Sequence, residues 1–171
     1  MKFNRPIHYY VEGECEKKLI DALKGEKKGL LAGKVEVFNF VRDRFSELRI
    51  RTLKSKSIII LVYDIDVPMT SVLKQNIEML TKHGFSSIHH IQSIKNFENE
   101  IIFSTSLRRI NDCFNTYSVN EFKSEFIAHK NILVKLKELE FDSEKLWSRR
   151  NTFEPFCLYS SDESLKFIHI K

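Results

Sequence analysis

The sequence predicts an α/β fold: a Rossmann-like layering in which a central, mostly parallel sheet of about four strands is flanked by helices and followed by a helical carboxyl-terminal extension. Three observations carry this. Ser57–Asp66 reads SIIILVYDID, and its apolar run from Ile58 to Val62 is too short to span a membrane but suits a strand buried on both faces of a parallel sheet. A second apolar run, Ile7–Val11, also ends in acid, here followed by glycine, Glu12-Gly13. Between and after these runs, helical spacing alternates with short strands, the pattern of right-handed crossovers.

The elements follow in order. After Gly13, Leu19, Ile20 and Leu23 recur at helical spacing with acids at the amino end, so Glu14–Lys24 predicts a helix stopped by Gly25. Gly25–Lys34 is glycine-rich and predicts a loop. Val35–Phe40 alternates and predicts a strand with Val35, Val37 and Asn39 on one side. Val41–Lys56 predicts a helix with Val41, Phe45, Leu48 and Leu53 as its apolar members. After the central strand, Val67-Pro68 introduces a helix over Ser71–Lys82, with Val72, Leu73, Ile77 and Leu80 inward and Gly84 as its stop. Ser87–Ser93 predicts a fourth strand. From Asn96 the pattern turns helical, at Phe97–Phe103 and around Leu107–Phe114, Val119–His129, Asn131–Leu139 and Ser143–Arg149. Near the end, Leu165–Ile170 fits a strand or a short helix.

A chain of 171 residues, 42% hydrophobic and 30% charged, buries a real core and is globular rather than disordered. It divides into residues 1–95, the α/β core, and 96–171, a helical extension packed on it. No transmembrane stretch is visible, and Ile7–Val11 is too short for the apolar region of a signal peptide. Cys15, Cys113 and Cys157 are scattered and lack CxxC spacing, which disfavours a disulfide framework or zinc site and points to the reducing cytoplasm. The net charge of +5 permits a polyanionic partner without requiring one.

Parallel sheets bind ligands just outside the carboxyl ends of their strands. Asp64 and Asp66 stand there, two apart in an extended stretch, so that their side chains leave one face; Glu12 follows the other strand. Hard oxygen ligands of this kind suit Mg²⁺ or Mn²⁺. Phosphodiester hydrolysis uses such an ion to neutralise the phosphoryl group and to lower the pKa of the attacking water. Gly13 permits close approach of the backbone to a phosphate. Glu16, one helical turn beyond Glu12, and Glu98 are further candidate metal ligands.

Plainer readings stand beside these. Asp66 or Thr70 can cap the helix after Pro68, and Glu14, Glu16 and Glu98 can serve as partners of helix dipoles. His89 and His90 point to opposite faces of a strand and do not form a ligand pair. Cys15 has no basic partner at a diagnostic spacing that would make it a nucleophile. Trp147, with Leu146 and Phe153, reads as a packing anchor. Arg42, Arg44, Arg49, Arg51, Lys54 and Lys56 form either a solvated helix face or a phosphate-backbone track feeding the acidic site. Lys17, Lys18, Lys27, Lys28 and Lys34 are candidates to extend that track.

Val11-Glu12-Gly13-Glu14-Cys15-Glu16 and Tyr63-Asp64-Ile65-Asp66, each after an apolar strand, resemble the Toprim domain shared by topoisomerases, primases and OLD-family nucleases. The resemblance covers about Ile7–Ser93; Asn96-Phe97-Glu98 looks like the acid-bearing segment of small Toprim proteins linked to phage defence. It implies a metal-dependent nuclease with Glu12 as acid/base and Asp64 and Asp66 on Mg²⁺ or Mn²⁺. It implies a setting in bacterial or phage-directed defence, sometimes under control of a partner ATPase, and association into a homo-oligomer. Without GxxxxGK[ST], any ATPase is another polypeptide. A primase or topoisomerase is not expected, because the chain lacks room for their other domains. The alternative is a non-catalytic Toprim-like module that binds nucleic acid or a partner protein. A flavodoxin-like phosphate acceptor fits less well, since no suitably placed late lysine supports it.

Overall fold

The structure, a computed structural model, describes residues 5–26, 30–150 and 154–159. Strands β1 (Ile7–Val11), β2 (Lys34–Val37), β3 (Ile58–Asp64) and β4 (Ile88–Ser93) form one parallel sheet in the order β2-β1-β3-β4. Helices α1 (Glu14–Leu23), α2 (Glu47–Arg51), α3 (Ser71–Lys82), α4 (Phe97–Phe103), α5 (Val119–Ala128) and α6 (Ile132–Glu138) flank it, with 3-10 turns at Ile110–Cys113 and Phe156–Tyr159. The fold class is α/β, with a Rossmann-like arrangement.

Crossover handedness decides which face each helix covers. The step from β1 to β2 runs to one side, whereas β2 to β3 and β3 to β4 run to the other, so right-handed connections put α1 opposite α2 and α3. The apolar clusters match. Tyr9, Val11, Ile60, Val62 and Ile91 pack with Leu19 of α1, Phe97, Phe126 and Leu136. Tyr10, Ile59, Leu61 and Tyr63 pack on the reverse face with Ile50, Leu73 and Leu80. Alternate residues of β3 thus enter two cores, which is why the strand is apolar without alternation. Each fully buried Ile or Leu contributes roughly 1.5–3 kcal/mol.

Helices α4 to α6 share the first cluster with α1 and the sheet. A buried acid locks the end of this region down. Glu100, with no exposure, accepts from the main-chain N–H groups of Ile94 (2.8 Å) and Trp147 (3.1 Å) and pairs with Arg149 Nη2 at 2.6 Å. The Arg149 guanidinium lies 4.5 Å from the Phe103 ring centroid.

Helices α1, α3, α5 and α6 lie within a residue or two of their predicted spans; three other segments differ. The predicted helix Val41–Lys56 forms only as Glu47–Arg51. Asn39 Oδ1 accepts from the N–H groups of Val41 and Arg42, each at 3.0 Å, and turns the chain. Buried Asn76 of α3 then bonds Phe45 N (2.8 Å), Phe40 O (2.9 Å) and Asp43 O (2.7 Å), satisfying the backbone without a helix. Consequently β2 stops at Val37, and Leu48 is 74% exposed rather than inward. Leu107–Phe114 narrows to the 3-10 turn, and Ser143–Arg149 is a series of turns held by Glu100. Phe153, Lys27, Lys28 and Leu165–Ile170 lie outside the described residues.

Candidate active site at the switch point

Strand order reverses between β1 and β3, and in open parallel sheets ligands bind in the crevice beyond such a switch point. Glu12 follows β1 and Asp64 ends β3. The Asp64 N–H donates to Glu12 Oε2 at 3.0 Å, joining two segments 52 residues apart. One turn into α1, Glu16 is buried. Gly13 makes room for it: a Cβ there would stand 2.9 Å from Glu16 Oε2. In this structure the glycine therefore accommodates a carboxylate.

Burial and the neighbouring carboxylates raise the pKa of Asp64 and of Glu16. Burial, and after it the charges of Glu16 and Glu12, push Asp64 up to about 8, against weaker stabilisation by the Ser93 hydroxyl and the Phe97 N–H. Asp64 Oδ1 is buried and has no hydrogen-bond partner. Burial likewise pushes Glu16 up to about 7, with Glu12 and Glu98 adding to the shift while its own backbone N–H and Lys123 oppose it. Glu98, buried on α4, pairs with Lys123 Nζ of α5 at 2.9 Å. Burial, the largest single influence, lowers the Lys123 amine, but the bond to Glu98 and the charges of Glu98 and Glu16 together outweigh it and the net direction is up.

Asp66 stands elsewhere. Strand β3 ends at Asp64, so the two-residue period that would aim both aspartates at one face does not continue. Asp66 is exposed, with Oδ2 at 3.7 Å from Arg42 Nη2. It does not cap α3 either: Thr70 occupies the N-cap position, without a side-chain cap bond. The structure thus brings Glu12, Glu16 and Asp64 together, attaches Glu98 through Lys123, and leaves Asp66 beside Arg42.

Among the described residues no three His, Cys, Asp or Glu side chains stand, in their present rotamers, where they could hold one metal ion. The donor chemistry nevertheless fits Mg²⁺ or Mn²⁺. Three carboxylates compress their charge at one crevice, and the buried Asp64 Oδ1 lacks any donor. Rotation of Glu16 and Asp64 is what such an ion would require.

The basic residues do not form one track. Arg42 lies at the carboxyl end of the sheet beside Asp66, and Arg44 is exposed on the same connection. Arg49 pairs with Glu36 and lies 4.7 Å over the Phe38 ring, a packing role. Arg51 is exposed on α2. Lys54 and Lys56 precede β3 at the opposite end; seven residue steps at roughly 3.3 Å each put Ser57 about 23 Å from Asp64. There Lys54 and Lys34 border a cavity of about 440 Å³ that also touches Ile7 and His8. Lys17 pairs with Glu14 at 3.7 Å.

The remaining candidates take structural parts. His90 Nδ1 meets Tyr63 Oη at 3.1 Å and His89 Nε2 meets Ser87 Oγ at 3.0 Å, so the two rings serve different partners. Burial pushes the Cys15 thiol up to about 12, which disfavours a thiolate. Trp147 is a buried anchor, but it also donates Nε1–H to Ser93 Oγ at 3.3 Å. Ser93 and Lys123 are the residues the sequence does not single out: Ser93 is reached only through strand register, and Lys123 is one lysine among many on a surface helix.

The chain matches no protein-family model, no curated protein and no solved structure.

Proposed function

We propose that the chain is a metal-dependent nuclease of the Toprim type that hydrolyses nucleic-acid phosphodiester bonds. The observation that carries this reading is the 3.0 Å bond between Glu12 and the Asp64 N–H at the switch point, where two acidic strand ends converge. Glu12, fixed through Oε2, has Oε1 for proton transfer to or from the reacting oxygen. Asp64 and Glu16 are the first ligands for Mg²⁺ or Mn²⁺, with Glu98 in an outer position through Lys123. When bound, the ion supplies charge neutralisation at the phosphoryl group and a lowered pKa of the attacking water. Arg42 and Arg44 are the basic residues that support approach of a polyanion from this end, with Asp66 holding Arg42 at the rim.

The resemblance to small Toprim proteins supports a cytoplasmic defence effector that acts as a homo-oligomer and answers to a separate ATPase. A second reading, a module that binds nucleic acid or a partner protein without cutting, is favoured by one observation. No three described acidic or ligating side chains are poised on a common point. Plasmid DNA and total tRNA incubated with the protein, with Mg²⁺, Mn²⁺ or EDTA and beside Asp64→Ala, separate the two. Cleavage that needs metal and Asp64 supports the nuclease; a salt-sensitive gel shift without cleavage, unchanged in Asp64→Ala, supports the module.

A further inference from the structure

We propose that the cavity at the amino end of the sheet is a second ligand site, one that takes a small organic phosphate of nucleoside monophosphate size. Lys34 borders it from β2 and Lys54 from the link between α2 and β3; these two hold the phosphate, while Pro6, Ile7 and Ala32 receive the organic body. The site stands about 23 Å of strand away from Asp64, so the inference goes beyond the nuclease reading and does not rest on it. Its volume of about 440 Å³ lies within the roughly 300–1,000 Å³ of small-molecule pockets. A bare phosphate leaves most of that space empty, which calls for an ester.

Both walls are preformed. On one side Gly33 lies so close to β1 that a Cβ would stand 2.7 Å from Ile7 O and 2.9 Å from Tyr9 Cε2. Tyr9 Oη donates to Leu31 O at 2.8 Å and fixes the same segment. On the other side Ser57 Oγ donates to Lys54 O at 2.6 Å and Thr52 Oγ1 to Arg49 O at 2.7 Å, which ties down the link that carries Lys54. The charge is one-sided. None of the described residues lining the cavity is acidic. Glu36, two residues along β2, is already covered: Arg49 pairs with Oε1, and Lys34 Nζ lies 2.9 Å from Oε2. That uses one N–H of the Lys34 ammonium and leaves two. Lys54 has no ion pair among the described residues. His8, also on the lining, is buried; burial and then the Lys34 charge hold its imidazole below the ordinary value, against a weaker pull from Glu36. The lysines therefore supply the charge of the cavity, and an anion between them relieves their repulsion through charge-assisted hydrogen bonds.

The test is isothermal titration of the full chain with AMP, UMP, inorganic phosphate and adenosine, with a thermal melt of each variant. AMP and UMP are expected to bind the wild-type protein, inorganic phosphate to bind more weakly, and adenosine, a body without a phosphate, not to bind measurably. Lys54→Met removes a charge-assisted hydrogen bond and should weaken AMP binding about 10–100-fold at an unchanged melting temperature. Lys54→Arg keeps the charge and should stay closer to wild type. Lys34→Met should weaken AMP binding by a similar factor, with a lower melting temperature because it also strips Glu36 of a partner. Wild-type AMP affinity in both folded Met variants overturns the inference, as does equal affinity for AMP and adenosine. AMP binding lost in Arg42→Ala but kept in Lys54→Met overturns it by placing the nucleotide at the crevice beside Asp64. Failure of AMP, UMP and inorganic phosphate to bind the wild-type protein at millimolar concentration also overturns it, and leaves the nuclease reading standing.

Discussion

The main-chain N–H of Asp64 donates to the side chain of Glu12 at 3.0 Å, so the last residue of β3 and the first residue after β1 meet across the point where strand order reverses. A backbone donor orients Glu12 without spending a second side chain. It also brings the Glu12 charge close enough to raise the pKa of Asp64, with Glu16 acting more strongly still.

Stability should fall as pH rises through neutrality. Asp64 goes from an ordinary 3.8 to about 8 in the folded chain, and Glu16 from 4.5 to about 7. The folded state then holds protons that the unfolded state has released, and this favourable difference is lost as pH climbs through the folded values. Asp64→Asn removes the charge that burial penalises. Its melting temperature should exceed that of wild type by about 4–8 °C at pH 8 and by little at pH 5, measured by circular dichroism without metal.

Gly13→Ala should disturb the site without unfolding the chain. The new Cβ, 2.9 Å from Glu16 Oε2, meets the flexible end of a side chain rather than backbone, so the Glu16 carboxylate shifts. The expected outcome is a loss of melting temperature of no more than about 4 °C, together with weaker Mn²⁺ binding and slower cleavage. Isothermal titration and a melt on the same preparation check both.

Arg149→Met should destabilise far more. It leaves the fully buried Glu100 carboxylate without its cation, and breaking such a pair costs about 3–5 kcal/mol; partial exposure of Arg149 places this case near 3 kcal/mol. Urea unfolding should show the drop, with the m-value unchanged.

Nucleic-acid affinity should separate the two ends of the sheet. Arg42→Ala and Arg44→Ala are each expected to weaken binding and reduce the salt slope by about 0.9 for duplex DNA. Lys54→Ala and Lys56→Ala, roughly 23 Å of strand away from Asp64, should leave both unchanged. Fluorescence anisotropy at several salt concentrations reads this directly.

The sheet was legible in the sequence because β1 and β3 are buried on both faces and carry uninterrupted apolar runs, and because α1 and α3 are bounded by glycine or proline. Glu12 and Asp64 were legible for the same reason: each stands at the end of such a run. What was hidden depends on partners distant in sequence. Val41–Lys56 has helical spacing, but Asn76, from another helix, satisfies its first residues in a turn. Asp66 shares the spacing of a ligand pair, yet the strand ends at Asp64 and the period ends with it. Glu16 carries two readings in the sequence, a further metal ligand or a dipole partner of α1, and its burial beside Gly13, which no local pattern announces, sets it among the other carboxylates. The link from Trp147 to Ser93 has no local signature, since it joins residues 54 positions apart.

Cleavage of supercoiled plasmid DNA and total tRNA by wild-type and Asp64→Asn protein, each with Mn²⁺, Mg²⁺ or EDTA, is the most direct measurement. A nuclease centred on Asp64 gives wild-type cleavage that EDTA abolishes and that falls by about 10²–10⁴ in the folded variant. Metal-dependent cleavage by Asp64→Asn at the wild-type rate would contradict it.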